Sequence, residues 1–358
     1  MNVPGGGGPN TSGSLVIPTS NGGDPTIVTQ AGSGASVQLD PNVCAMARVA
    51  ASRVVPEVYF VIDGSGSMNA NFGSGTRWTV LREALVGPNG VVTKLEGVVK
   101  FGMATYANNN PMTCPDMTDV PAALSNLSAL TGAYPAQEIG GGTPTGEALQ
   151  KVVDGLPEFG ALDSTERPPI IILATDGEPN GCNSPGACNW AADWAACLGN
   201  LGAQLAAAPA TYDTTLAAVR AAREKNISVW VISLADGLNN IPDLQRTANI
   251  GAGLAEDASP GATIYSPQNP DDLTQTLTQL IGDAVSCDIT LAGTLDVARA
   301  CEGLVQVNSE TLDCNSDQGW KAIDASRIAL QGAACERFKS DPTVMLNATF
   351  PCDVVDLK

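Results

Sequence analysis

Histidine is absent from the 358-residue sequence. Because histidine is the usual general base near neutral pH and a frequent zinc ligand, its absence excludes Ser-His-Asp and Cys-His catalytic arrangements and imidazole-ligated zinc. The sequence also lacks the G-x-S-x-G turn that is typical of α/β-hydrolases. We therefore expect a protein that is not an enzyme.

Basic side chains are scarce. The sequence has 18 Lys and Arg residues against 37 Asp and Glu residues, which gives a formal net charge of −19. Such a surface repels the phosphates of nucleic acids and anionic lipids and attracts cations, so no nucleic-acid partner is expected. No apolar run is long enough to span a bilayer, so no transmembrane segment is expected either.

The ten cysteines contain no C-x-x-C pair. An even, scattered set of this kind is typical of disulfides formed outside the cytosol. The first ten residues, MNVPGGGGPN, lack the basic start and apolar core of a signal peptide. Either the signal has been removed or the cysteines are not disulfides. We expect an exported protein, extracellular or on the cell surface, with lipid attachment through a removed N-terminal segment as a further option.

Three regions differ in composition. Residues 1–43 consist mainly of Gly, Pro, Ser, Thr and Asn, which predicts a tether that cannot bury enough apolar area to fold alone. Residues 44–286 alternate strand patterns with helix patterns, which predicts an α/β domain with a doubly wound, mostly parallel, Rossmann-like sheet. Residues 287–358 consist of short β-rich segments and predict a small, disulfide-tied, β-rich C-terminal unit.

Strand and helix patterns alternate regularly in the α/β domain. The predicted strands are EVYFVID, VVKFGMATYA, PPIIILATD, ISVWVISLAD and TIYSP. The predicted helices are RWTVLREAL, PTGEALQKVVDGL, TTLAAVRAAREKN, DLQRTANIGA and PDDLTQTLTQLIGDAVS. A loop through Cys114 is expected after the second strand. A bridge from Cys44 to Cys287 would join the two ends of the domain, although sequence alone does not determine disulfide pairing.

Three oxygen-rich loops follow predicted strands or precede a predicted helix. Asp63, Ser65 and Ser67 lie in DGSGS after EVYFVID, Thr143 lies in GGGTPTGEAL, and Asp176 lies in ATDGEPNG after PPIIILATD. Since the carboxyl ends of parallel strands meet at one edge of a sheet, these side chains are expected to converge. Two carboxylates and three hydroxyls form an oxygen-only donor set that suits a hard divalent cation. Mg²⁺ is expected, with Mn²⁺ or Ca²⁺ as alternatives.

These motifs resemble a known family. D-x-S-x-S after a first strand, GGTPTG before a helix and TDGEP after a buried strand are similar to the von Willebrand factor A domain and its metal-ion-dependent adhesion site, over about residues 54–286. The resemblance implies that Ser65, Ser67 and Thr143 contact the metal, and that Asp63 and Asp176 bind it directly or through water. It also implies that a partner's Asp or Glu carboxylate completes the coordination.

The whole chain is similar to bacterial exported proteins that carry a Gly-rich tether, such a domain and a cysteine-bearing tail. Gly319-Trp320 and the GAAC segment at residues 332–335 are the tail features of that resemblance. In the loop after Asp176, we interpret Glu178 as a solvated carboxylate and the pair Trp190 and Trp194 as packing within a disulfide-tied loop.

These features favour one function and leave two alternatives. The first is a cell-surface or secreted binding protein that adheres to a protein partner through the divalent cation. The second is a structural subunit of a surface filament or coat, in which self-assembly would involve the tether or the tail. The third is an accessory subunit of an ATP-driven, chelatase-like complex, against which the cysteine content argues.

Overall fold

The computed structural model describes residues 46–49, 51–109, 113–157, 168–177, 179–182, 212–235, 242–341 and 343–357. The chain divides into two compact units. The first, called the α/β unit, comprises the described residues of Val54–Ser286 together with residues 339–341. The second, called the terminal unit, combines the described residues up to Arg53 with Cys287–Phe338 and residues 343–357.

Two short strands precede the α/β unit, and both pair with C-terminal strands. They are β1 (Met46–Val49) and β2 (Ala51–Arg53). The sequence assigns residues 44–53 to the α/β domain, whereas β1 and β2 contribute edge strands to the sheets of the terminal unit. The physical reason is that a strand pattern shows where a strand forms but not which distant strand it pairs with.

The α/β unit contains eight strands and seven helices among its described residues. The strands are β3 (Glu57–Asp63), β4 (Asn71–Phe72), β5 (Gly75–Thr76), β6 (Lys100–Ala107), β7 (Asp116–Ala123), β8 (Ile170–Thr175), β9 (Ser228–Ser233) and β10 (Ile264–Tyr265). The helices are α1 (Arg77–Val86), α2 (Val91–Leu95), α3 (Leu127–Ala133), α4 (Thr145–Gly155), α5 (212–224), α6 (Pro242–Gly251) and α7 (Pro270–Ala284).

Six of these strands form one sheet in the order β10-β9-β8-β3-β6-β7. All neighbours are parallel except the edge pair β6 and β7. After β3 the chain first builds outward to β6 and then returns to the other side of β3 with β8. This reversal leaves a crevice at the carboxyl end of β3, where ligands bind in open α/β sheets. The structure confirms the doubly wound, mostly parallel sheet.

Side chains of β3 alternate between two apolar layers. Phe60 and Ile62 pack with Trp78 of α1 and Leu277 of α7 on one face. Tyr59 and Val61 pack with α4 and α5 on the other face. A strand that is buried on both sides reads as a continuous apolar run, which is why EVYFVID predicts it clearly.

Two predicted helices present the apolar faces expected from their periodicity. In α4 the buried side chains include Ala148, Leu149, Val152 and Val153, and in α7 they include Leu273, Leu277, Leu280, Ile281 and Ala284. The start of α7 is also as predicted, because the Asn269 side chain accepts a hydrogen bond from the Asp272 N–H and Pro270 is the first helical residue.

Strand β7 was not predicted, since the segment through Cys114 was expected to be a loop. It is an antiparallel edge strand in which most side chains are only partly buried or exposed. The ladder between β6 and β7 shifts register near Phe101 and Met103, opposite the stretch that contains Pro121. Proline has no N–H to donate to a ladder, so Pro121 argues against a strand when only the sequence is considered. In the structure the proline is tolerated because it lies at a register shift in an edge strand.

Among its described residues, the terminal unit is mainly antiparallel β-structure with one α-helix and a short 3-10 helix, Val297–Glu302. Its remaining elements are β11 (Asp288–Leu291), β12 (Gly293–Leu295), β13 (Leu304–Val307), β14 (Glu310–Leu312), β15 (Trp320–Asp324), β16 (Arg327–Leu330), α8 (Gly332–Ser340), β17 (Leu346–Pro351) and β18 (Val355–Leu357). Two four-stranded sheets, ordered β1-β17-β13-β14 and β15-β16-β11-β2, accompany the pair β12-β18. Trp320 and Phe350 lie in its core, in an edge-to-face contact with centroids 6.0 Å apart.

Disulfides occur in both units. Cys114 bonds Cys182 in the α/β unit, and Cys301 bonds Cys314 in the terminal unit. Cys287 bonds Cys335 of α8, so the predicted bridge from Cys44 to Cys287 is wrong. None of the cysteines in the described residues is free. The helix α8, which was not predicted, brings Cys335 to Cys287.

Candidate metal centre

The loop that follows β3 curls around the carboxylate of Asp63. Asp63 is the last residue of β3 and is fully buried. Its Oδ1 accepts a hydrogen bond from the Ser65 N–H at 2.9 Å. A single 3-10 turn, Gly66–Asn69, then inserts the side chain of Met68 into the core. The turn thereby presents the hydroxyls of Ser65 and Ser67 beside the carboxylate.

A chain of hydrogen bonds joins four of the five predicted ligands. The Ser65 and Ser67 Oγ atoms lie 3.0 Å apart, and Ser67 Oγ donates to Asp176 Oδ1 at 2.7 Å. Asp63 Oδ2 accepts a hydrogen bond from Thr175 Oγ1 at 2.8 Å. Ser65 is buried whereas Ser67 is exposed, so the network extends from the interior to the surface.

Thr143 lies in the adjoining loop, and its position is determined by backbone contacts. The Gly140 N–H donates to the Gly64 carbonyl at 2.9 Å, and the Gly66 N–H donates to the Gly141 carbonyl at 3.1 Å. Gly141 has a φ of +81°, and a Cβ built on it would lie 2.2 Å from the Asn108 oxygen. Only glycine suits position 141, and this glycine lets the loop before Thr143 approach Asn108 closely.

Asn180 connects the Thr143 loop to the segment that follows Asp176. The Thr143 N–H donates to Asn180 Oδ1, and the Asn180 N–H donates to the Thr143 carbonyl at 2.9 Å. Two residues later, the Cys182 N–H donates to Glu147 Oε1 of α4 at 2.8 Å. The loops of all three motifs are therefore hydrogen-bonded to one another at one edge of the sheet.

The side chains that bond the two predicted carboxylates include two residues, Thr175 and Arg77, that were not predicted from the sequence. Thr175 is the last residue of β8, and the only signal for it is its place directly before Asp176. Arg77 is the first residue of α1, and its Nη1 donates to Asp176 Oδ2 at 2.7 Å. A cation at the positive end of a helix dipole is locally unfavourable, so its position is the signal that could have indicated a nearby acidic partner.

Electrostatics at the centre disfavour the ionised form of Asp63. Burial, followed by the negative charge of Asp176, raises the pKa of Asp63 to about 7. Hydrogen bonds from Ser65 and Thr175 act in the opposite direction but do not offset these two effects. A divalent cation bound between the carboxylates would relieve both penalties.

The donor set fits a hard divalent cation. Within the described ranges, no group of three or more Cys, Asp or Glu side chains is arranged to hold a metal ion. The candidate centre instead combines two carboxylates with hydroxyl oxygens, which are ligands that Mg²⁺ or Mn²⁺ accepts and that zinc and copper rarely select. The residues that would hold the ion are Asp63, Ser65, Ser67, Thr143 and Asp176.

The region that contains the candidate centre matches a known protein family. The family model of the von Willebrand factor type A domain matches residues 58–178, a span that contains all five residues of the candidate centre. The chain contains a von Willebrand factor type A domain. Asp63 ends β3, Asp176 follows β8, and the Gly-rich loop before α4 carries Thr143. The interpretations of Glu178, Trp190 and Trp194 concern residues outside the described part of the chain.

One curated relative matches part of the chain in sequence. The mouse collagen alpha-4(VI) chain is 29% identical over 130 residues, which cover 34% of this chain and 5% of the relative. This chain therefore spans only a small part of the length of that protein.

Solved structures of low sequence identity also align with the chain. The pilus adhesin SpaC from Lactobacillus rhamnosus GG aligns with 14% identity and a TM-score of 0.42, covering 89% of this chain and 44% of the adhesin. The PilB minor pilin from Streptococcus sanguinis aligns with 15% identity and a TM-score of 0.44, covering 64% and 61%. Manganese-loaded Plasmodium vivax TRAP aligns with 13% identity and a TM-score of 0.39, covering 73% and 90%.

Among the helices in the described residues, none combines the length and the apolar character needed to cross a membrane.

Proposed function

We propose that this chain is a non-catalytic, adhesion-type binding protein whose A domain engages a protein partner through a bound divalent cation. The observation that carries the proposal is the hydrogen-bonded set of Asp63, Ser65, Ser67 and Asp176 at the carboxyl edge of the sheet. Mg²⁺ is the proposed ion, since the donors are hard oxygens.

The composition of the ligand set supports binding to an anionic partner group. Hydroxyl oxygens donate weakly to a metal, so they leave the ion electrophilic. A carboxylate from an Asp or Glu of the partner would then complete the coordination. The exposure of Ser67 supports access from the surface at this point. The loops around the centre would determine which partner fits.

The disulfides support a location outside the cytosol. Cysteine pairs such as Cys114–Cys182 and Cys301–Cys314 persist in oxidising compartments. We therefore propose that the protein is exported and acts in the extracellular space or on the cell surface.

Thermal unfolding of the full chain tests the metal site. Because a ligand that binds only the folded state stabilises it, Mg²⁺ at about a hundredfold excess over its Kd should add about 2.7 kcal/mol of stability relative to chelator. Asp63→Ala should abolish this gain. Asp154→Asn is the matched control, because Asp154 is an exposed aspartate on α4 of the same domain. Identical melting curves of the wild type in Mg²⁺ and in chelator would contradict the proposal.

A peptide-binding assay tests the partner chemistry. An array of peptide pairs that differ only by Asp against Asn should show retention of the Asp members in Mg²⁺ and loss of that retention in chelator. Retention of Asn members to the same extent would refute recognition through a metal-bound carboxylate.

A further inference from the structure

Arg77 places a positive charge inside the candidate metal centre. Its Nη1 bonds Asp176 Oδ2 at 2.7 Å and lies 3.5 Å from the Ser67 carbonyl oxygen. The Asp176 side chain is fully buried and the Arg77 side chain is 12% exposed. Among the described residues, no group accepts a hydrogen bond from the buried Nε of Arg77. The guanidinium is therefore held in the site chiefly by one carboxylate.

Local structure does not favour a cation at this position. Arg77 is the first residue of α1, where the helix dipole presents partial positive charge. The hairpin of β4 and β5 brings the chain back to this point, and the Arg77 N–H donates to the Ala70 carbonyl at 2.9 Å. Thr76 caps the helix with its side chain. The backbone thus positions Arg77 against Asp176 in spite of the unfavourable dipole, which indicates that the pair has a role at the site.

The net charge of the centre indicates what the role of Arg77 is. Asp63 and Asp176 together carry two negative charges when ionised, and Arg77 carries one positive charge. Without Arg77, a divalent cation would make the group neutral. With Arg77, the same cation leaves one net positive charge, which an incoming carboxylate can neutralise.

We propose that Arg77 is a positioning residue that weakens binding of the divalent cation alone and makes binding of the cation and of an anionic ligand cooperative. The inference rests on the proposed metal site and concerns how that site is regulated. Because such coupling is reciprocal, the metal strengthens binding of the anion by the same factor by which the anion strengthens binding of the metal.

The expected change in metal affinity can be estimated from the effect of an arginine on the proton affinity of a neighbouring aspartate. A neighbouring arginine lowers the pKa of an aspartate by about 1 to 3 units, which is a 10- to 1000-fold loss of proton affinity. A metal cation at the same carboxylates is repelled by the same guanidinium. Removing the charge of Arg77 should therefore tighten metal binding at least about tenfold.

Titration of the full chain with Mn²⁺ in a calorimeter tests the inference. Arg77→Met should bind Mn²⁺ at least about tenfold more tightly than the wild type. Arg77→Lys, which keeps the charge, should remain within about threefold of the wild type. Arg82→Met is the matched control on the same helix, because Arg82 Nε donates to the Tyr134 carbonyl at 3.0 Å rather than to a carboxylate. Its affinity should be unchanged. If Arg77→Met fails to fold, Arg77→Gln should show tightening in the same direction.

A second titration uses acetate as the anion probe, with chloride at equal ionic strength as the reference. Acetate should raise the Mn²⁺ affinity of the wild type more than that of Arg77→Met. Equal or weaker Mn²⁺ binding by Arg77→Met, or an equal acetate effect in both proteins, would overturn the role of Arg77 while leaving the metal site intact. A wild type that binds no Mn²⁺ would instead overturn the proposed function itself.

Discussion

Replacement of Asp63 by asparagine should stabilise the metal-free protein. In the folded state, burial and the charge of Asp176 raise the pKa of Asp63 from 3.8 to about 7. In the unfolded chain the same carboxyl ionises near its ordinary pKa. Between about pH 4 and pH 7 the folded protein therefore holds a proton that the unfolded chain has released, so the free energy of unfolding falls as the pH rises through this window.

The magnitude follows from the size of the shift. Each pKa unit corresponds to 1.36 kcal/mol, so the wild type should lose up to about 4 kcal/mol of stability across the window. The introduced asparagine would carry no charge and could keep hydrogen bonds to Ser65 and Thr175, because the Thr175 hydroxyl can accept as well as donate. At pH 8 in chelator, Asp63→Asn should be more stable than the wild type by up to the same amount.

Urea unfolding in chelator, followed by circular dichroism from pH 4 to pH 8, measures this difference. Subtracting the profile of Asp63→Asn from that of the wild type isolates the contribution of Asp63 from other titrating groups. Asp154→Asn should follow the wild-type profile. Addition of Mg²⁺ at pH 8 should stabilise the wild type and leave Asp63→Asn unchanged. Parallel pH profiles for the wild type and Asp63→Asn would refute the raised pKa of Asp63 in the folded protein.

Three further substitutions test how the structure supports the site. Gly141→Ala should lower the free energy of unfolding by about 1 to 3 kcal/mol and weaken Mn²⁺ binding, because the position has a φ of +81° and no room for a Cβ. Gly132→Ala is the control, since a Cβ there meets nothing within 4 Å. It should leave Mn²⁺ binding unchanged and the free energy of unfolding unchanged or slightly higher. Replacing Cys114 and Cys182 together by serine removes a cross-link of sequence separation 68 and should lower the free energy of unfolding in urea by about 4 kcal/mol. An unchanged free energy of unfolding would show that the bridge is absent in solution. Phe350→Ala should cost about 3 to 5 kcal/mol in urea unfolding, because its ring is fully buried in the core of the terminal unit. An unchanged free energy of unfolding would contradict that packing.

The sequence by itself determined the elements that surround the metal centre. EVYFVID and PPIIILATD are strands with both faces buried, and their continuous apolar runs show this without any tertiary information. The alternation of strands with helices implies a parallel sheet, and a parallel sheet brings its strand ends to one edge. Asp63 and Asp176 could therefore be placed at the same edge from their positions after those strands.

Tertiary structure alone decided the partners of these residues. Thr175 and Arg77 join the network because β8 and the β4–β5 hairpin bring them to it. The unfavourable place of Arg77 at a helix start points to an acidic partner, but it does not say which one. Sequence also could not show that Cys287 pairs with Cys335, or that β1 and β2 complete sheets of the terminal unit. Hydrophobic periodicity and turn chemistry act over a few residues, whereas disulfide and strand pairing depend on contacts between distant parts of the chain.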